Sequence, residues 1–299
     1  MTNEHSDYRC GFVAVIGRPN VGKSTLINAI VGSKVSIVTP KPQTTRHRIV
    51  AVHTRENAQI LFIDTPGLHH RADKAMNRMM NRTASSALSD ADLILFVCEA
   101  SRFTAEDETA LGKVVASGVP VIAVLNKIDK VHPREALLQT ISDMSERADF
   151  RQVVPLSAKN GDNIDRLLTL IPEFLPLSEP LFPQDMRTDR SEHFHIAELI
   201  REKLTLSLRQ EIPYGLTVQI ERYEAEPEGI AIHAIIWVER DSQKGIVVGK
   251  GGIHLKKVGR AARLELKKNL GVPVHLELWV KVEARWAKHP KRLKSLGYS

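Results

Sequence analysis

The stretch Phe12-Val13-Ala14-Val15-Ile16-Gly17-Arg18-Pro19-Asn20-Val21-Gly22-Lys23-Ser24-Thr25-Leu26-Ile27-Asn28-Ala29-Ile30-Val31 decides the fold. Residues 12–16 are a continuous apolar run, as expected for a strand covered on both faces. Residues 24–31 read as the opening turns of a helix. Between them lies G-x-x-x-x-G-K-S, and strand, glycine loop and helix in that order define a phosphate-binding loop. Gly17 and Gly22 let the backbone wrap. The whole loop, Gly17, Arg18, Pro19, Asn20, Val21, Gly22, Lys23, Ser24 and Thr25, is then expected to line a phosphate chain. Lys23 reaches the β- and γ-phosphates, the Ser24 hydroxyl ligates Mg²⁺, and the helix N-terminus adds partial positive charge.

Working outward, 299 residues allow about two domains. A hydrophobic content of 42% and a charged content of 26% suit a soluble globular chain. The longest apolar runs fall far short of the roughly 20 residues that span a bilayer. No apolar leader follows Met1, so a cytoplasmic protein is expected. The two cysteines, Cys10 and Cys98, border strand-like runs and read as buried free thiols.

The net charge of +7 is unevenly placed. Residues 244–299 carry 14 Lys/Arg against 3 Asp/Glu, a net of +11, which leaves −4 for the rest. A basic excess so concentrated points to a polyanion partner.

Strand-like runs at 12–16, 49–53, 59–63, 93–97, 119–125 and 152–156 alternate with helical segments at 24–31, 72–89, 105–117, 133–148 and 161–171. That alternation predicts a doubly wound α/β domain with a mixed, mostly parallel sheet. Pro172, Pro176, Pro180 and Pro183 then mark a semi-rigid linker. A helix at 191–208, strands at 216–224 and 230–238, a glycine cluster, a helix at 253–269 and a strand at 274–282 follow. With a short helix before the glycines, the order is α-β-β-α-α-β. The expected boundaries are 9–176 for the first domain, 177–190 for the linker and 191–299 for a smaller α+β domain with a basic tail.

Three further motifs fall at strand ends of the first domain, the edge where open α/β sheets bind ligands. Asp64-Thr65-Pro66-Gly67 offers an acid to hold Mg²⁺ through water and a Gly67 N–H for the γ-phosphate. Asn126-Lys127-Ile128-Asp129 carries the logic of guanine selection. The Asp129 carboxylate accepts from the guanine N1–H and 2-amino group; adenine would leave it unpaired. Asn126 is expected at the base edge and the Lys127 stem over the ring. Ser157-Ala158-Lys159 follows, with the Ala158 N–H facing the guanine oxygen.

Together these motifs resemble GTPases of the TrmE–Era–Obg group. Pro19-Asn20 and Gln43-Thr44-Thr45-Arg46-His47 resemble its Era family in particular. The resemblance implies Mg²⁺-dependent GTP hydrolysis, with Thr45 as a second direct Mg²⁺ ligand when GTP is bound. It also implies a K⁺ near the phosphates at Asn20, with Thr44 as a second ligand. Asn20, Lys23, Thr45 and Gly67 are the expected catalytic set; Leu68 stands where many GTPases place a water-orienting glutamine, so slow hydrolysis is expected and no residue can be named as general base.

Gly249-Lys250-Gly251-Gly252 fits G-x-x-G ahead of a basic helix. In its α-β-β-α-α-β setting it resembles a type-2 KH domain, in which such a loop clamps about four single-stranded nucleotides. Leu255, Val258, Ala262 and Leu266 recur at core-facing spacing, while Lys256, Lys257, Arg260 and Arg263 occupy other faces. Trp286 suits either stacking on a base or packing on the last strand. The Era resemblance implies a monomeric, GTP-switched protein of 30S ribosomal subunit assembly that binds the single-stranded 3′ end of 16S rRNA. Two other readings stand beside it: a signalling GTPase held peripherally at the inner face of the cell membrane through its basic C-terminus, and an RNA-modifying enzyme timed by GTP hydrolysis.

Overall fold

The computed structural model describes residues 7–67, 75–208 and 215–296. These sort into two compact units, the chain changing from one to the other at Asp189/Arg190, with Thr39–Thr44 grouped with the second.

The first unit is built on six strands: β1 Arg9–Ile16, β2 Ile49–Thr54, β3 Ala58–Asp64, β4 Leu93–Glu99, β5 Val121–Asn126 and β6 Gln152–Pro155. Their spatial order is β2-β3-β1-β4-β5-β6, with β2 antiparallel and the rest parallel. The apolar run of β4 explains why the sheet is buried on both sides. Leu93, Leu95 and Val97 join one core with α1 (Lys23–Val31) and α5 (Ile164–Leu170). Ile94, Phe96 and Cys98 join the opposite core, which takes in Ala87 and Leu88 of α2 (Ala75–Ser89), Leu111 of α3 (Ala105–Ala116) and Met144 of α4 (Ala136–Ser145). Successive side chains of a strand alternate faces, so a run with no polar gap needs two cores. The strand order reverses at β1, whose neighbours are β3 and β4, and a ligand crevice is expected at that reversal.

The sequence predicts a spacer after Pro176, but the chain there is bound down along the sheet. Val52 N–H donates to Arg187 O at 2.9 Å and Asp189 N–H to Val50 O at 3.2 Å, extending the ladder beyond the edge strand β2. The buried Gln59 amide accepts from Leu181 and Phe182 N–H at 2.8 and 2.9 Å and donates to Phe182 O at 2.8 Å. The Gln59 side chain thereby satisfies the irregular backbone at 181–182, while the 187–189 segment covers the otherwise open edge of β2. Proline density alone carries no information about those partners.

The second unit has α6 (Glu192–Ser207), β7 (Leu216–Glu226), β8 (Gly229–Val238), α7 (Asp241–Val248), α8 (Ile253–Leu270) and β9 (Val274–Val282), with a short α9 (Pro290–Ser295). Its sheet order is β7-β8-β9, the first pair antiparallel and the second parallel. Val258, Ala262 and Leu266 of α8 pack in one core with Ile200, Ile232 and Val280. Trp286 is fully buried and donates Nε1–H to Gly215 O at 3.3 Å, which leaves packing as its role. No helix among the described residues is long and apolar enough to cross a membrane.

Candidate nucleotide and nucleic-acid sites

The phosphate loop joins β1 to α1 at the strand reversal. α1 starts after Gly22, which sits at φ 104° and offers no side-chain cap. Its first amides therefore face the loop rather than a capping oxygen, which is what an anion site needs. A Cβ on Gly22 would lie 2.3 Å from Asn126 Nδ2, and one on Gly17 2.1 Å from Val97 O. Both glycines are required by close approach as well as by backbone freedom. Lys23 Nζ arches back to donate to the Gly17 and Arg18 carbonyls, each at 2.9 Å. Burial pushes its ammonium down to about 8, against the opposing pull of the Asp64 carboxylate.

Three oxygens converge beneath the loop. Ser24 Oγ donates to Asp64 Oδ2 at 2.8 Å and lies 2.9 Å from Thr45 Oγ1. Asp64 is fully buried, and its second oxygen, Oδ1, makes no hydrogen bond of normal geometry among the described residues. Burial pushes its carboxyl up, with the neighbouring Ser36 and Ser24 hydroxyls, the Lys23 charge and the Thr45 hydroxyl working the other way. A cluster of hard oxygen donors with a spare buried carboxylate oxygen fits Mg²⁺, which prefers such ligands and neutralises that burial. Gly67 lies against the loop: a Cβ there would meet Pro19 at 3.0 Å. Leu68 lies outside the described residues.

The guanine motifs meet the same loop. Asn126 is buried; its Nδ2 donates to Val21 O at 2.8 Å and its Oδ1 accepts from Lys127 N–H at 2.7 Å and Ala158 N–H at 3.0 Å. It is thus a strut joining three segments, a role the expected base-edge contact does not describe. Asp129 is half-buried, with Oδ1 accepting from Ser157 Oγ at 2.7 Å, which fixes the carboxylate's direction. Lys159 is exposed beside it. Lys127 Nζ donates to Asn20 O at 2.6 Å, tying the base motif to the phosphate loop. Asn20 is exposed at φ 66°. Thr44 Oγ1 donates to Lys41 O and accepts from Thr39 Oγ1, both at 2.6 Å.

Two acids go unmarked in the sequence reading. Glu99 at the end of β4 pairs with both Arg18 and Lys127, and the fully buried Asp107 pairs with Arg18. Position at a strand's C-terminal end was the available signal for Glu99; Asp107 carried none beyond its place in a helix cap.

In the second unit the glycine loop forms a tight turn between α7 and α8. Gly249, Gly251 and Gly252 have φ values of 73°, 58° and 76°. A Cβ on Gly249 would lie 2.6 Å from His254 Cβ, whereas one on Gly251 would meet nothing within 4 Å. The loop is thus closed behind and open in front. Lys250, Lys256, Lys257, Arg260 and Arg263 are all exposed, and the apolar Ile246 and Ile253 flank the loop at 52% and 72% exposure. Cations beside bare apolar side chains suit a strand with charged backbone and flat bases.

Loop, converging oxygens and paired guanine motifs define a P-loop GTPase, here joined to a KH fold. Residues 12–127 match the family described as 50S ribosome-binding GTPase, and residues 211–287 match the KH domain family. The GTPase Era of Vibrio parahaemolyticus serotype O3:K6 is 47% identical over 298 residues, covering 99% of this chain and 92% of the relative. GTPase Era of Yersinia pestis (strain Pestoides F) is 45% identical over 291 residues, covering 97% and 96%. A crystal structure of Era in complex with MgGDPNP and nucleotides 1506–1542 of 16S ribosomal RNA matches with a TM-score of 0.94 at 40% identity, covering 98% of this chain and 99% of that one. An Aquifex aeolicus Era variant bound to GDP·AlF4⁻ matches at 0.93 and 39% identity, covering 97% and 99%. The chain belongs to the Era family of GTPases.

Proposed function

We propose that this GTPase is a nucleotide-controlled, monomeric RNA-binding protein of small ribosomal subunit assembly. It grips the single-stranded 3′ end of 16S rRNA with the loop 249–252 and the basic face of α8. The observation that carries this reading is the exposed cation row of α8, set beside a glycine loop open in front and flanked by Ile246 and Ile253. The solved Era complex with a 16S rRNA segment supports it.

In the nucleotide site, Lys23 and the loop amides hold the phosphates, and Asp129, steered by Ser157, selects guanine. Ser24 and Thr45 would hold Mg²⁺ directly and Asp64 through water, and the ion would supply charge neutralisation for the phosphates. Gly67 N–H donates to the γ-phosphate. Asn20, with Thr44 as a second ligand, would hold a K⁺ near the phosphates, where it would supply positive charge. Binding of GTP orders residues 36–48 through Thr45, and RNA affinity follows.

The test is oligoribonucleotide binding by the full chain with GDP and with a non-hydrolysable GTP analogue, beside pelleting with anionic vesicles. Tighter binding of a 3′-end 16S oligonucleotide in the GTP-analogue state supports the reading. Equal affinity in both states overturns the coupling. Vesicle binding without RNA binding favours residence at the inner membrane face over the cytoplasmic role.

A further inference from the structure

The phosphate loop carries a cation besides Lys23, and that cation is engaged by two acids. Arg18 Nε donates to Asp107 Oδ2 at 2.9 Å, and its Nη2 pairs with Glu99 Oε2 at 3.2 Å. Asp107 Oδ2 also accepts from Thr104 N–H at 2.9 Å and Thr104 Oγ1 at 2.8 Å, so the arginine is anchored on the capped N-terminus of α3. The other Glu99 oxygen pairs with Lys127 Nζ. Lys127 in turn donates to the Asn20 carbonyl. The series Asp107, Arg18, Glu99, Lys127 alternates in charge and ends on the loop backbone.

Glu99 is the member that joins two functional segments. Arg18 belongs to the phosphate loop and Lys127 to the guanine motif, and one carboxylate takes a proton donor from each. Asn20 and Lys127 both sit in left-handed backbone, at φ 66° and 65°, which asparagine tolerates but which costs a lysine energy unless its surroundings hold it there. The Lys127–Asn20 hydrogen bond is such a restraint, and Glu99 fixes the lysine that makes it. Burial pushes the Glu99 carboxyl up, but hydrogen bonding and charge from Lys127 and Arg18 outweigh it and hold the group below its usual range. Glu99 is therefore charged throughout the neutral range.

We propose that Glu99 is a positioning residue for nucleotide retention: it locks the phosphate loop to the guanine motif through Arg18 and Lys127, so that grip on the phosphates and grip on the base stand or fall together. Arg18 serves as a scaffold in this arrangement and is not the charge that stabilises the transition state. The proposal rests on Lys127 being a guanine-site residue.

Release of fluorescent GDP and GTP analogues from the full chain, followed by stopped flow, tests it. Lys127→Ala should speed release most. Glu99→Gln, which keeps shape and loses charge, should speed release of both nucleotides about tenfold, a change of about 1.4 kcal/mol. Glu99→Asp should recover part of the loss, and kcat at saturating GTP should fall less than twofold. Arg18→Gln, which removes the other half of the bridge, should act in the same direction and serves if Glu99→Gln does not fold. Unchanged release in Lys127→Ala would reject the reading of Lys127 itself. Fast release in Lys127→Ala with release within twofold of the parent in Glu99→Gln would overturn the proposal. So would a lowered melting temperature in Glu99→Gln with unchanged release, since that is what a merely structural ion pair produces.

Discussion

The chain uses two glycine loops, each leading into a helix, and they are built in opposite ways. The loop at 17–24 is closed by its surroundings. Asn126 reaches Val21, Lys127 reaches Asn20, Arg18 is held by two acids, and a Cβ on Gly22 has no room. Among the described residues, the loop at 249–252 is braced from behind, by His254 against Gly249, and a Cβ on Gly251 would meet nothing within 4 Å. A compact polyanion of fixed shape rewards a preorganised cradle, because nothing need be reordered when it binds. A flexible strand of polymer needs an open rim past which its backbone can run. The same residue type therefore supplies close packing in one loop and clearance in the other.

The largest effect expected from breaking this contrast is at Asp129. Asp129→Asn would remove the acceptor proposed for two guanine donors and supply an amide donor instead. GTP affinity should drop by at least about 100-fold, and affinity for xanthosine triphosphate should rise. Nucleotide binding by calorimetry measures both, and retained GTP affinity would remove Asp129 from the base site. In the open loop, Gly251→Asp fits sterically but adds a negative charge at the rim and strains a positive φ. RNA affinity should fall about 10- to 100-fold while the GTPase rate stays within about twofold. Filter binding and phosphate release separate the two, and a parallel loss of GTPase activity would show that the loops are not independent.

A smaller effect concerns Asn20 at the exposed lip of the closed loop. Hydrolysis should run about tenfold faster in K⁺ than in Na⁺ buffer, and Asn20→Ala should erase that difference. Equal rates in the two salts would leave the loop's own donors as the whole source of charge. The smallest effect tests closure. Burial pushes the Cys98 thiol up to about 12, and Cys10 is raised by burial too. A raised thiol is protonated at every pH below its folded value, so neither should be alkylated at pH 8 in the folded chain, and both should react after denaturation. Labelling of Cys98 without unfolding would mean that the sheet beneath the loop opens on its own.

The two families of element were legible in the sequence to different degrees. Continuous apolar runs mark β1, β3, β4 and β5 because a strand between two cores cannot carry polar residues on either face. β9 matches its expected range, 274–282, since its bounds coincide with a glycine-proline turn and with Glu283. In sequence the segment after Pro176 looks like a spacer because its partners, Gln59 and β2, lie more than a hundred residues away in the chain. Trp286 stood between two roles until burial decided for packing.

By itself, the sequence determined the local motifs: a phosphate loop and a guanine-type N-K-x-D motif at strand ends, and a glycine loop ahead of a basic helix. Those signals are local, since each motif carries its own backbone requirement within a few residues. Only the tertiary structure decided how the motifs support one another. Asn126 is a strut, Ser157 aims Asp129, and Glu99 bridges Arg18 to Lys127. Such partners are chosen by the sheet order, which brings the ends of β1, β4 and β5 side by side. A pairing set by strand adjacency leaves no periodic or spacing mark on the chain, because the residues that meet are scattered along it and share only an edge.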